Sequence, residues 1–226
     1  MRKLKANKII FVGMLVVFCL TIAYSLASAN SGFGENIGNN FKKYTVNQNT
    51  DEDTVIAKFG NLTITRNDID YYKEFYSLNG EEKTDDAIID SILLKTLLYE
   101  EAKKTGMEVS DDDVKENMEK VRNSILNNEE AHIDFLNFIK ASGMTEDEYW
   151  ENSFFVYKRA YSISNYKKNY LKPMLREKYK NLSNAEFEEA FNNYYKEYED
   201  ELLKNAKKMP VINILIHLYQ LSIRTP

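Results

Sequence analysis

The sequence predicts a mainly α fold of about six helices, with a small β-hairpin near the N-terminus joined by a C-terminal strand. Three observations carry this. The chain has 8 Gly and 3 Pro in 226 residues, where average usage would give roughly 16 and 11. With so few breakers, long helices are easy to build and turn-dense β architectures are disfavoured. Ser or Thr followed three residues later by Asp or Glu stands just upstream of four apolar stripes of helical period, the pattern of a helix N-terminus. Strand signals are confined to a period-two segment near residue 55 and an apolar run near the C-terminus.

Arg2, Lys3, Lys5 and Lys8 precede an apolar run from Ile9 to Ala23 that extends weakly to Ala27, and Ala27-Ser28-Ala29 offers small residues for cleavage. Residues 1–29 are therefore expected to be an export signal, or an N-terminal membrane anchor through residues 9–27 if uncleaved. The lone Cys19 rules out an internal disulfide framework. Phe18 before it is too large for a lipoprotein signal. Residues 30–53, with three Gly, six Asn and no apolar periodicity, are expected to form a flexible polar linker.

Val55, Ala57 and Phe59 alternate, Gly60-Asn61 supplies a two-residue turn, and Leu62 to Thr65 returns, which is a hairpin signal. Thr65–Asp68 then caps a first helix bearing Ile69, Tyr72 and Tyr76, which ends at Asn79-Gly80. A second helix spans about Asp85–Thr105, with a wide apolar face and Gly106 as its stop. Ser110–Asp113 caps a third, bearing Val114, Met118, Val121 and Ile125. A fourth covers about Glu129–Ser142 with Ala131, Phe135, Phe138 and Ile139 inward, and Gly143 stops it. Thr145–Glu148 caps a fifth, striped by Trp150, Phe154, Tyr157 and Tyr161 and expected to end near Leu171, before Pro173. Ser183–Glu186 caps a sixth, with Phe187, Phe191, Tyr194, Tyr198 and Leu202. After Glu201 no acidic residue occurs in 25 positions. There Val211–Ile216 reads as a strand that would pair with the hairpin, which alone would be marginal.

Composition also limits function. The net charge of −5 becomes −9 without the four basic residues of the export segment, which argues against nucleic-acid binding. No phosphate-binding loop, dinucleotide fingerprint, metal motif or nucleophile elbow occurs, so no nucleotide and no cofactor are expected. Asp111-Asp112-Asp113 opens a helix, where carboxylates complement the dipole, and no cation loop surrounds it.

The order of signal, polar linker, "VIAKFGNLTITRNDID", "LLYEEAKKTGMEVSDDDVKENMEKV" and "FIKASGMTEDEYW" resembles the N-terminal chaperone module of the SurA/PrsA group of exported foldases. The matching stretches are Val55–Asp70, Leu97–Val121 and Gly143–Trp150. The resemblance implies a helical chaperone domain over residues 54–216, closed by the C-terminal strand, with a tail at 217–226. It implies an extracytoplasmic protein that binds unfolded or exported polypeptides without nucleotide. Many members add a parvulin peptidyl-prolyl isomerase domain. Here nine residues follow His217, so the module is expected without isomerase activity.

Sixteen Tyr and twelve Phe exceed what a core of this size requires. Adjacent pairs such as Tyr71-Tyr72 and Tyr194-Tyr195 are not expected to face inward together. Tyr presents a rigid apolar plate with a polar tip, suited to adaptable contact with polypeptides, and Met107, Met118, Met144 and Met174 would add a pliable lining. The expected polypeptide-binding residues are Tyr149, Trp150, Phe154, Tyr157, Tyr161, Tyr194 and Tyr198, with no catalytic and no metal residues. Two other readings stay open at this point: a parvulin-related isomerase using His217, and a membrane-tethered scaffold with one dedicated partner.

Overall fold

The structure is a computed structural model that describes residues 32–46, 54–60, 62–78 and 80–208. The export segment expected at 1–29, the C-terminal strand expected at 211–216 and His217 lie outside these residues. The elements in order are α1 (Phe33–Val46), β1 (Val55–Phe59), β2 (Leu62–Thr65), α2 (Arg66–Leu78), α3 (Asp85–Lys104), α4 (Asp111–Leu126), α5 (Glu129–Ser142) and α6 (Glu146–Asn165). A π-helical segment (Tyr166–Leu171), α7 (Lys172–Lys178) and α8 (Asn184–Lys208) follow. The fold is mainly helical, with β1 and β2 paired as a two-stranded sheet. Contacts divide it into two compact units. The first holds α1, residues 65–85 and residues 109–161; the second holds residues 55–64, 86–108 and the chain from 162 onward.

All four capping patterns form as the sequence requires. The Thr65 N–H and hydroxyl both donate to Asp68 Oδ2 at 2.8 Å, and Asp68 N–H returns to Thr65 Oγ1. Ser110 Oγ accepts from Asp113 N–H at 3.2 Å. Thr145 N–H donates to Glu148 Oε2 at 2.8 Å, and Ser183 N–H to Glu186 Oε2 at 2.9 Å. Each box satisfies N–H groups that the helix cannot bond internally. Helix α5 is capped by Asn128, whose side chain accepts from Ala131 N–H at 3.1 Å, a cap the sequence reading lacks. Gly143 closes it at φ 73, a left-handed position that favours glycine.

Three expectations are corrected. Part of the expected linker is helix α1. Its polar composition conceals Ile37 and Phe41, one turn apart and both buried. Gly34 and Gly38, also one turn apart, let α1 lie against α5. A Cβ on Gly38 would stand 2.6 Å from the Phe138 carbonyl oxygen and 2.7 Å from Ala141 Cβ, and one on Gly34 would collide with the Asp134 carbonyl. These glycines work as contact surface rather than as sources of flexibility. Second, Pro173 does not stop the helical path. The backbone widens into the π segment, where Lys172 N–H bonds Lys167 C=O, and Pro173 falls in the first turn of α7, where its missing N–H costs little. Third, Tyr71 and Tyr72 are both buried. Tyr71 meets Tyr44 of α1 edge-on at 5.6 Å, while Tyr72 stacks on Tyr76 one turn further along α2 at 6.4 Å.

In the first unit, α1 is tied to α2 by Lys43 and Tyr44, which donate to Glu74 Oε2 at 2.7 and 2.9 Å, and by Asn67 Nδ2 on the Tyr44 carbonyl at 3.0 Å. Asp85 receives Arg66 at 2.6 Å and also pairs with Lys73. In the second unit, Ala102, Tyr166, Leu171, Leu175, Phe187 and Phe191 form a core of buried residues.

Helix-interior Gly→Ala exchanges ordinarily stabilise by about 1 kcal/mol. Gly38→Ala is expected to do the reverse, because the methyl overlaps backbone of α5, and overpacking costs about 1–3 kcal/mol. Denaturant unfolding of this variant reads the sign directly.

The charged caps set an acid response. Glu148 and Glu186 have carboxyls held below the usual range by hydrogen bonds from Thr145 and Ser183, and Asp85 is lowered by Lys73 and then Arg66. Their contribution is complete above the unfolded carboxylate pKa and is lost as pH falls through the lower folded values. Asp134 is raised by burial, so it opposes folding at neutral pH and is relieved on acidification. Between about pH 5 and pH 3, Glu148→Gln and Glu186→Gln are expected to lose less stability than the parent, and Asp134→Asn to lose more. Thermal unfolding across that range checks both signs.

Candidate polypeptide-binding groove

Aromatic packing carries the fold of the first unit to its surface. Phe41 of α1 meets Phe138 of α5 edge-on at 6.2 Å. Phe138 and Phe135, one turn apart, meet Tyr149 of α6 at 5.8 and 5.0 Å. Phe135 also reaches Trp150 at 5.9 Å. Trp150 is thereby held by the core on one side while its other side stays partly open. Its indole N–H donates to Glu146 Oε1 at 3.2 Å, and the same carboxylate oxygen takes Arg122 of α4 at 3.0 Å.

This arrangement leaves an open groove of about 430 Å³ between α4 and α6, lined by Lys115, Met118, Glu119 and Arg122 on one side and Trp150, Glu151, Phe154 and Phe155 on the other. Met118, Trp150, Phe154 and Phe155 make it apolar. Phe155 is 63% exposed, although it meets Phe154 edge-on at 5.4 Å. So large an apolar side chain in water has nothing to gain in the free chain. The rim charges are unequal in availability. Arg122 is engaged by Glu146, and Lys115 lies 3.6 Å from Asp112. Glu119 and Glu151 have no cationic partner among the described residues, which leaves the groove edge effectively acidic.

The seven expected contact residues divide into four groups. Trp150 and Phe154 line the groove. Tyr149 and Tyr157 do not, since both are 0% exposed: they lie on the inner side of α6, Tyr157 against Trp150 at 6.3 Å. They are corrected from contact surface to core. Tyr161 is half-buried and tilts against Tyr157 at 5.6 Å. Tyr194 and Tyr198 belong to the second unit, where they stack on each other at 6.2 Å and the Tyr198 hydroxyl bonds that of Tyr166 at 2.8 Å. Burial pushes the Tyr166 and Tyr198 hydroxyls up from their ordinary range, so both stay protonated and keep this bond over the physiological range.

Phe155, Lys115, Glu119, Arg122 and Glu151 were absent from the sequence reading. Phe155 carried a usable signal, because the residue after a buried-stripe Phe lies about 100° around the helix and a Phe there faces water. The α4 residues carried none; only packing brings them opposite α6. Among the described residues, no cluster of three or more His, Cys, Asp or Glu side chains is placed to hold a metal, and no helix is long and apolar enough to cross a membrane. Compared with models of known protein families, with curated proteins and with solved structures, the chain gives no match.

Burial separates the two aromatic roles on α6. Tyr157→Ala is expected to cost about 3–5 kcal/mol, whereas Phe155→Ser should change stability by no more than about 0.5 kcal/mol. Chemical denaturation of the two variants tests this assignment of core and surface.

Proposed function

We propose that the groove between α4 and α6 binds extended segments of unfolded or exported polypeptides, and that the chain acts as an extracytoplasmic chaperone without nucleotide. The observation that carries this reading is Phe155, exposed beside Trp150 and Phe154 in an open groove. An open, aromatic and methionine-containing trough accepts varied side chains through weak, sequence-tolerant contacts. Its carboxylates without a cationic partner among the described residues, Glu119 and Glu151, favour clients that pair aromatic or aliphatic residues with basic ones. The resemblance to the SurA/PrsA chaperone module supports the same reading. Its stretches Leu97–Val121 and Gly143–Trp150 include much of α4 and the start of α6, the two helices that frame the groove. On this reading the export segment delivers the chain to the compartment where its clients emerge.

Purified residues 30–226 are expected to suppress aggregation of several chemically unfolded clients at near-stoichiometric ratio. Phe155→Ser should weaken client binding about tenfold, the effect of removing one well-placed aromatic anchor, with stability unchanged. Absence of suppression across the clients, or suppression indifferent to Phe155→Ser and Phe154→Ser together, would overturn the assignment.

A further inference from the structure

A second surface lies in the other unit. Residues 166–180 carry six basic residues against one acidic residue, Glu177, in a chain of net charge −5. The six cations divide by what they face. Lys167 sits 3.7 Å from the Tyr195 ring centroid, Lys172 5.7 Å from that of Phe191, and Arg176 4.6 Å from that of Phe187. Lys172 also pairs with Glu188 at 2.7 Å, and Arg176 donates to Asn184 Oδ1 at 2.9 Å. These three cover the stacked ladder Phe187, Phe191, Tyr195 along α8. Lys168, Lys178 and Lys180 are all exposed, and none has a carboxylate partner among the described residues, although Lys178 lies 5.4 Å from the Tyr179 ring centroid.

Two apolar side chains stand out between these lysines. Tyr170 is 39% exposed and Met174 46% exposed, and Tyr170 is held by stacking on the buried Tyr166 at 5.4 Å. Tyr170 and Met174 lie one turn apart on a face that Lys178 continues, and a tyrosine and a flexible apolar side chain beside lysines without carboxylate partners is the composition of an interfacial membrane contact. We propose that the exposed face of the π segment and α7 rests on an anionic lipid surface. Tyr170 and Met174 enter the headgroup region, and Lys178 and Lys180 meet lipid phosphates. The outer face of a single helix is convex, so it suits a plane, whereas an extended peptide needs a groove or a strand edge. The acidic balance of the whole chain opposes long polyanions such as nucleic acids. The basic-flanked apolar run at residues 9–27 is itself the kind of segment that brings a chain to a membrane.

The full chain carrying Cys19→Ser and Met174→Cys can be labelled at residue 174 with an environment-sensitive fluorophore. It is then reconstituted in vesicles of phosphatidylcholine alone or mixed with phosphatidylglycerol. Emission from residue 174 is expected to shift to the blue only in the mixed vesicles and to revert at high salt. Each of Lys178→Glu and Lys180→Glu should lower the apparent membrane-binding constant about fivefold or more. Equal emission in the two lipids would overturn the proposal, as would a shift produced by soluble polyglutamate or DNA without any dependence on anionic lipid. The lipid comparison stands even if a lysine variant fails to fold, because it uses the native lysines.

Discussion

The first unit depends on one close contact, the approach of α1 to α5 across Gly34 and Gly38. With Cβ atoms at these positions the helices would have to separate, because the obstacles are backbone carbonyls and Ala141 rather than movable side-chain ends. The approach buries Ile37 and Phe41 and sets Phe41 on Phe138. Phe138 and Phe135 then fix Tyr149, and Phe135 fixes Trp150. Through that series of rings, a contact between two glycines and a backbone sets the wall of a surface groove. Packed interiors transmit such displacements because they contain few voids to absorb them.

The groove has the chemistry of a weak, adaptable binder. Its floor is aromatic and thioether, its basic residues are engaged by Glu146 and Asp112, and its acidic residues have no cationic partner among the described residues. Binding there gains mostly from removing Phe155 and Phe154 from water, with rim charges adding preference rather than strength. For the proposed chaperone role weakness is an advantage, because clients would then leave without an energy source.

Much of the fold was legible in the sequence because its signals are local. The four capping boxes, the glycine stop at Gly143 and the hairpin turn at Gly60 each depend on residues within a few positions, and each formed. The features that were not legible depend on partners distant in sequence. Helix α1 reads as linker because Gly and Asn lower its propensity, and only α5 supplies the surface that its two glycines fit. Continuation past Pro173 required the π segment, which period counting does not reveal. The candidate site was half legible. Trp150 and Phe154 were identified by their stripe, yet the same stripe drew in Tyr157, which packs between Trp150 and Tyr161, and the aromatic count drew in Tyr149, which the Phe135 and Phe138 rings cover. A count of aromatics cannot separate a tyrosine facing the core from one facing water; the covering helix decides.

The central claim is that the α4–α6 groove is the place where polypeptide binds. Trp150 is the single tryptophan of the chain and lines that groove, so its fluorescence reports on the site alone. Titration with a tryptophan-free unfolded peptide, rich in phenylalanine and arginine, is predicted to shift Trp150 emission saturably, with the same midpoint as anisotropy of the labelled peptide. Binding seen by anisotropy while Trp150 emission stays unchanged would place the peptide elsewhere and contradict the account.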